Sequence, residues 1–135
     1  MRTPHAARLE WIWMAENFRL FDAGPDPFGR TWRIEFRWLQ TGISIRHADT
    51  VDVKFVIATE GEPAVERVIA MRHPDLIRLA AATGHGLTDA WCLKLAALHA
   101  KYMIESGEDL EKTLITVEYA DLQRYAGEVR ARVGA

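Results

Sequence analysis

Trp32-Arg33-Ile34-Glu35-Phe36-Arg37-Trp38 is the stretch on which the fold turns. Apolar residues stand at every second position, separated by Arg33, Glu35 and Arg37, which is the two-residue period of a half-buried strand and not the 3.6-residue period of a helix. Strict alternation predicts that Trp32, Ile34, Phe36 and Trp38 share one aromatic face. The charged residues then line the other.

Downstream the period repeats. Val51, Val53, Phe55 and Ile57 alternate with Asp52 and Lys54, although Val56 and Ala58 make that second face less polar. Ile43-Ser44-Ile45 reads as a short strand or the paired end of a hairpin, and the turn over Thr59–Ala64 leads into a strand over Val65–Met71. Consecutive strands with short connections predict an antiparallel meander.

The period changes at His73-Pro74. Pro74 suits the first turn of a helix, Leu76, Ile77, Leu79 and Ala80 form a stripe, and Gly84 supplies a left-handed stop. A second helix starts at Thr88 as cap and ends at Ser106-Gly107. Its apolar residues occupy nearly the whole wheel, leaving Lys94, Lys101 and Glu105 as a narrow wet edge, so it must be surrounded on most sides. The tail predicts a turn around Glu108–Lys112, a short strand at Thr113–Val117 and a helix from Tyr119 to Val133 with Leu122, Tyr125, Ala126, Val129 and Val133 inward.

Upstream, Asp22-Ala23-Gly24-Pro25-Asp26-Pro27-Phe28-Gly29 precludes a helix or a central strand. In residues 8–21, Leu9, Trp11 and Trp13 fit a strand, while Trp11, Met14, Ala15, Phe18 and Phe21 fit a helix, and the balance tips slightly to helix. The expected architecture is a single α+β domain over 1–135: an antiparallel sheet of four to five strands packed on one face by two to three helices.

Composition works by exclusion. The chain has 135 residues, 49% hydrophobic and 27% charged, with 17 basic and 19 acidic residues spread evenly along it. No segment forms the basic footprint that phosphate neutralisation needs, which argues against nucleic acid. The first twenty residues are interrupted by Glu10, Glu16 and Asn17 and read as neither a secretory leader nor a membrane span. One cysteine, Cys92, forms no internal disulfide, and a cytoplasmic location is expected.

The densest polar cluster is Arg46-His47-Ala48-Asp49-Thr50-Val51-Asp52. Alternation puts His47 and Asp49 on one side, where the carboxylate could orient the imidazole as a general base. The competing reading is an exposed turn with local Asp hydrogen bonds. His85, Asp89, Cys92 and His99 do not converge as metal ligands, because Asp89 and His99 lie about 15 Å apart along a helix axis. No nucleotide or hydrolase signature occurs, so neither metal nor cofactor is expected.

Eight of the thirteen aromatic residues fall between Trp11 and Trp38. Two function classes follow. The first is a non-enzymatic interaction or assembly module, homo-oligomeric or bound to a protein partner, that uses an aromatic-rich surface containing Trp11, Trp13, Trp32, Phe36 and Trp38. The second is a small enzyme or small-molecule-binding domain with His47 and Asp49 as acid–base pair. There Arg33 and Arg37 would hold a small apolar or anionic aromatic ligand.

Overall fold

The computed structural model describes residues 17–42 and 49–132. Strands β1 (Leu20–Ala23), β2 (Trp32–Gly42), β3 (Thr50–Thr59), β4 (Val65–Arg72) and β5 (Leu114–Thr116) form one sheet in the order β1-β2-β3-β4-β5. Helices α1 (His73–Thr83) and α2 (Asp89–Ser106) separate β4 from β5, and α3 (Tyr119–Arg132) follows. β1 to β4 are the expected antiparallel meander. β5 departs from it, lying parallel to β4 with Ile69 opposite Ile115. A parallel partner needs a long crossover, and the two helices supply it.

The alternation in β3 is complete. Val51, Val53, Phe55, Ile57 and Thr59 are buried toward the helices, while the residues between them are half-buried on the outer face. α2 lies across the inner face in contact with β1 through β4, and α3 packs on α1 and α2. The near-absence of a polar face on α2 is thereby explained: of its eighteen residues, only its two ends and the edge at Lys94, Lys101 and Tyr102 escape burial. Leu95, Ala96 and Ala97 have no exposed surface.

The helix ends follow their sequence signals. Thr88 Oγ1 accepts the Trp91 N–H at 3.1 Å. Gly84 (φ 68°) closes α1 and Gly107 (φ 76°) closes α2, both left-handed. A Cβ on Gly107 would come within 2.8 Å of Pro27 Cγ, so the 24–30 loop is pressed against the end of α2.

Two expectations are corrected. Leu20 and Phe21 are not helical but begin β1, because Phe21 and Ala23 alternate onto the inner face opposite Ile34 and Trp32. Phe18 and Arg19 form a turn leading into β1, while residues 8–16 of that expected helix lie outside the described residues, as does the strand expected at 43–45. The second correction concerns Trp38. The β2–β3 register pairs Phe36 with Phe55, then Trp38 with Lys54 and Leu39 with Val53, so Arg37 is an extra residue in a β-bulge. Trp38 therefore sits on the outer face, while Trp32, Ile34, Phe36 and Leu39 face inward.

Candidate functional site

The bulge splits the aromatic group that the sequence puts on one surface. Trp32 is buried, and Phe36 packs edge-on against Phe55 with ring centroids 6.3 Å apart. Both serve the core. On the outer face, Lys54 Nζ stands 5.3 Å from the centroid of the Trp38 ring and 2.9 Å from Glu66. Arg33 pairs with Asp22 at 3.5 Å and Arg37 with Glu35 at 3.8 Å, all four well exposed. Their charges are locally balanced on a solvated surface, and neither arginine lines a cavity with Trp32. Half-buried Val56 and Val68 lie in the middle of this face, and Leu114, 60% exposed, lies at its β5 edge. Among the described residues, all three helices pack on the inner face.

Of the expected acid–base pair, His47 lies outside the described residues, as do Trp11 and Trp13. Asp49 is exposed, and its main-chain carbonyl accepts the His73 N–H at 2.7 Å where α1 begins. Among the described residues no three His, Cys, Asp or Glu side chains gather as a metal site.

A second constellation lies in the segment that the sequence excludes from helix and central strand, at the corner where the 24–30 loop meets the sheet. The Asp26 carboxylate is enclosed. Its Oδ1 accepts the main-chain N–H groups of Phe28 (2.9 Å) and Arg30 (2.8 Å), and its Oδ2 accepts Arg30 Nε–H (2.8 Å) and Trp32 Nε1–H (2.9 Å). Burial alone would raise the carboxyl pKa, but the hydrogen bonds from Trp32, Arg30 and Phe28 outweigh it and hold Asp26 far below the ordinary aspartate range. Arg30 also pairs with Glu62 and lies over the Phe28 and Trp32 rings, 5.4 and 5.2 Å from their centroids. The outcome is a fixed loop that holds the Phe28 ring 83% exposed. An Asp two residues before Phe28-Gly29 is an Asx-turn signal, and it could have been read as one.

That ring lines a cleft of about 540 Å³ together with Trp32, Pro63, Val65 and Leu110, with Arg30, Arg67 and Glu111 among its polar groups. Arg67 stands on the inner side of β4 opposite Phe55. Its Nε–H donates to the Leu110 carbonyl at 2.8 Å and its Nη1 to the Glu66 carbonyl at 2.7 Å.

The third polar feature is buried. His99 Nδ1 and Tyr125 Oη are 2.7 Å apart, joining α2 to α3, and Arg124 Nη2 donates to the same hydroxyl at 3.4 Å. Burial lowers the His99 pKa, against the pull of the Asp121, Asp109 and Glu108 carboxylates. Burial pushes the Cys92 thiol up to about 11, reinforced by the Asp89 charge, so Cys92 is protonated and poorly nucleophilic. Among the described residues no helix is long and apolar enough to cross a membrane. Comparisons with protein-family models, with curated proteins and with solved structures find no match to this chain, and the functional reading rests on the side chains themselves.

Proposed function

We propose that this protein is a non-enzymatic assembly module that pairs with a second copy of itself through the outer face of its sheet. The observation that carries this reading is the outer face itself: an apolar middle of Trp38, Val56 and Val68 framed by ion pairs, with no described helix over it. An apolar middle with a charged rim is the anatomy of a protein interface.

Charge favours a copy of the same chain as occupant. Register and ion pairing assign Asp22, Glu35, Asp52 and Glu66 with Arg33, Arg37, Lys54 and Arg72 to this face, and Arg72 in turn pairs with Asp75 and Glu118 at its edge. A surface that interleaves both signs of charge can meet its own copy in a twofold arrangement that exchanges partners between the pairs. Area agrees. Five strands at a spacing of about 4.8 Å and lengths up to about 30 Å offer roughly 600 Å² per copy, near the lower bound of stable interfaces. A cytoplasmic location fits the same reading, supported by the lone, buried and protonated Cys92.

The test is the oligomeric state of the purified protein by native mass spectrometry and sedimentation equilibrium. We expect a dimer, and we expect Val56→Lys to give a folded monomer, because the new charge is solvated in the monomer and trapped in the dimer. Trp38→Ser should weaken the dimer without changing the helical circular dichroism. A wild-type chain that stays monomeric at tens of micromolar, or a Val56→Lys dimer as tight as wild type, would overturn the proposal.

A further inference from the structure

The geometry points to a second site, independent of the sheet face: the cleft lined by Phe28 binds a singly charged carboxylate carried on an aromatic or apolar arm, with Arg67 as its anchor. The argument begins with charge accounting. Within the cleft, Arg30 is already matched by Asp26 and Glu62. Arg67 is not matched. Its hydrogen bonds go to two main-chain carbonyls, and among the described residues no carboxylate forms an ion pair with it.

A guanidinium carries five N–H donors in a planar fork. The two carbonyls fix the plane of Arg67 and leave donors over, so the group is positioned before any ligand arrives. Such an arrangement suits a carboxylate, which accepts two parallel hydrogen bonds from one guanidinium. Here Arg67 stands half-buried, where a charge-assisted bond is less screened than at an open surface.

The rest of the cleft sets the class of ligand. Pro63, Val65, Leu110 and the exposed Phe28 ring give the cleft apolar lining, so the arm beyond the carboxylate is apolar or aromatic. Glu62 and Glu111 line the same cleft. With Glu62 already matched by Arg30, the Glu111 charge disfavours a doubly negative group, which selects a monocarboxylate over a phosphate monoester. The walls do not have to form on binding, since Asp26 fixes one and the contact of Gly107 with Pro27 fixes where α2 meets it.

Two sources share this chemistry, a free arylalkanoate and the carboxyl terminus of a peptide ending in an aromatic residue. The test titrates ¹⁵N-labelled full-length protein with 3-phenylpropanoate and with the peptide acetyl-Gly-Gly-Gly-Phe, each against its uncharged amide. Both acids should shift the Arg67 Nε–H and the Leu110 amide, and each amide should bind roughly tenfold more weakly or worse. A peptide acid that binds more tightly than 3-phenylpropanoate identifies a chain terminus, and equal affinities identify the free acid. Arg67→Gln should abolish the preference for acid over amide. Phe28→Ala, at a ring outside the core, should weaken acid and amide alike. Should Arg67→Gln fail to fold, the acid–amide comparison on wild type still decides. Equal binding of acid and amide, or shifts that miss the cleft, would overturn the proposal.

Discussion

Asp26 does the work of a much larger group. One side chain satisfies two main-chain N–H groups, a guanidinium and an indole, in a segment whose prolines and glycines deny it regular structure. Its folded pKa lies below the unfolded value, so its stabilisation is complete above about pH 4 and is lost as pH falls through the depressed range. Asp26→Asn replaces an acceptor oxygen with an NH₂ that can only donate, and leaves without a partner either Arg30 Nε–H and Trp32 Nε1–H or the main-chain N–H groups of Phe28 and Arg30. We expect a lower melting temperature at pH 7, with the gap to wild type narrowing between pH 4 and pH 2. A constant gap over that range would contradict the assignment. His99 acts in the same direction at a higher pH. Its neutral form is favoured in the fold, so the unfolded chain binds the extra proton and stability falls as pH drops below about 6.5. His99→Gln should flatten the part of the stability curve between pH 7 and pH 5. An unchanged slope would place the acid sensitivity elsewhere.

At the scale of elements, β2 shows where sequence and structure agree and where they part. Its alternation reads correctly as a strand, and the inward set Trp32, Ile34 and Phe36 is correct. Trp38 goes wrong because a bulge adds one residue without disturbing the apparent period: a strand with aromatics on both faces reads the same across the insertion. The helices were legible because their punctuation is chemical. Thr88, Gly84 and Gly107 each supply a cap that few other residues can. The corner cleft was not legible, since Arg30, Arg67 and Leu110 come together only through tertiary pairing. The bulge makes a specific prediction. With Arg37 deleted, Phe36, Trp38 and Leu39 would still oppose Phe55, Lys54 and Val53, now in a regular ladder. The deletion should cost about 1 kcal/mol or less, as surface changes usually do. Deleting Glu35 instead would consume the bulge by turning Phe36 outward opposite Val56 and Arg37 inward opposite Phe55, and should cost several kcal/mol. Urea denaturation of both variants separates these outcomes. A second element-scale prediction concerns Gly107→Ala. A left-handed Cβ costs ~1–2 kcal/mol and Pro27 must also move, so the urea midpoint should drop with the m value unchanged.

For the molecule as a whole, the sheet divides labour between its faces. One carries the helices and the core, and the other is left to charge pairs and a few apolar side chains. The single parallel pairing has a consequence for how the molecule comes together in time. Every contact within β1–β4 joins neighbours in sequence, whereas Val68 meets Leu114 only after 46 residues, the intervening chain including both α1 and α2, have closed into a loop. Loop closure of that length is slow relative to hairpin formation, so β5 docks late, on a meander that already exists. Ile115→Val, at a fully packed site, should cost roughly 0.5–1.5 kcal/mol and express it almost wholly as faster unfolding, with the refolding rate nearly unchanged. A slower refolding limb would show that β5 belongs to the nucleus. Because Leu110 and Glu111 lie in the segment that leads into β5, the cleft acquires its last wall only when this strand arrives. Its ligand would therefore meet a completed cleft only late in folding, and by binding it would slow the release of the strand that seals the fold.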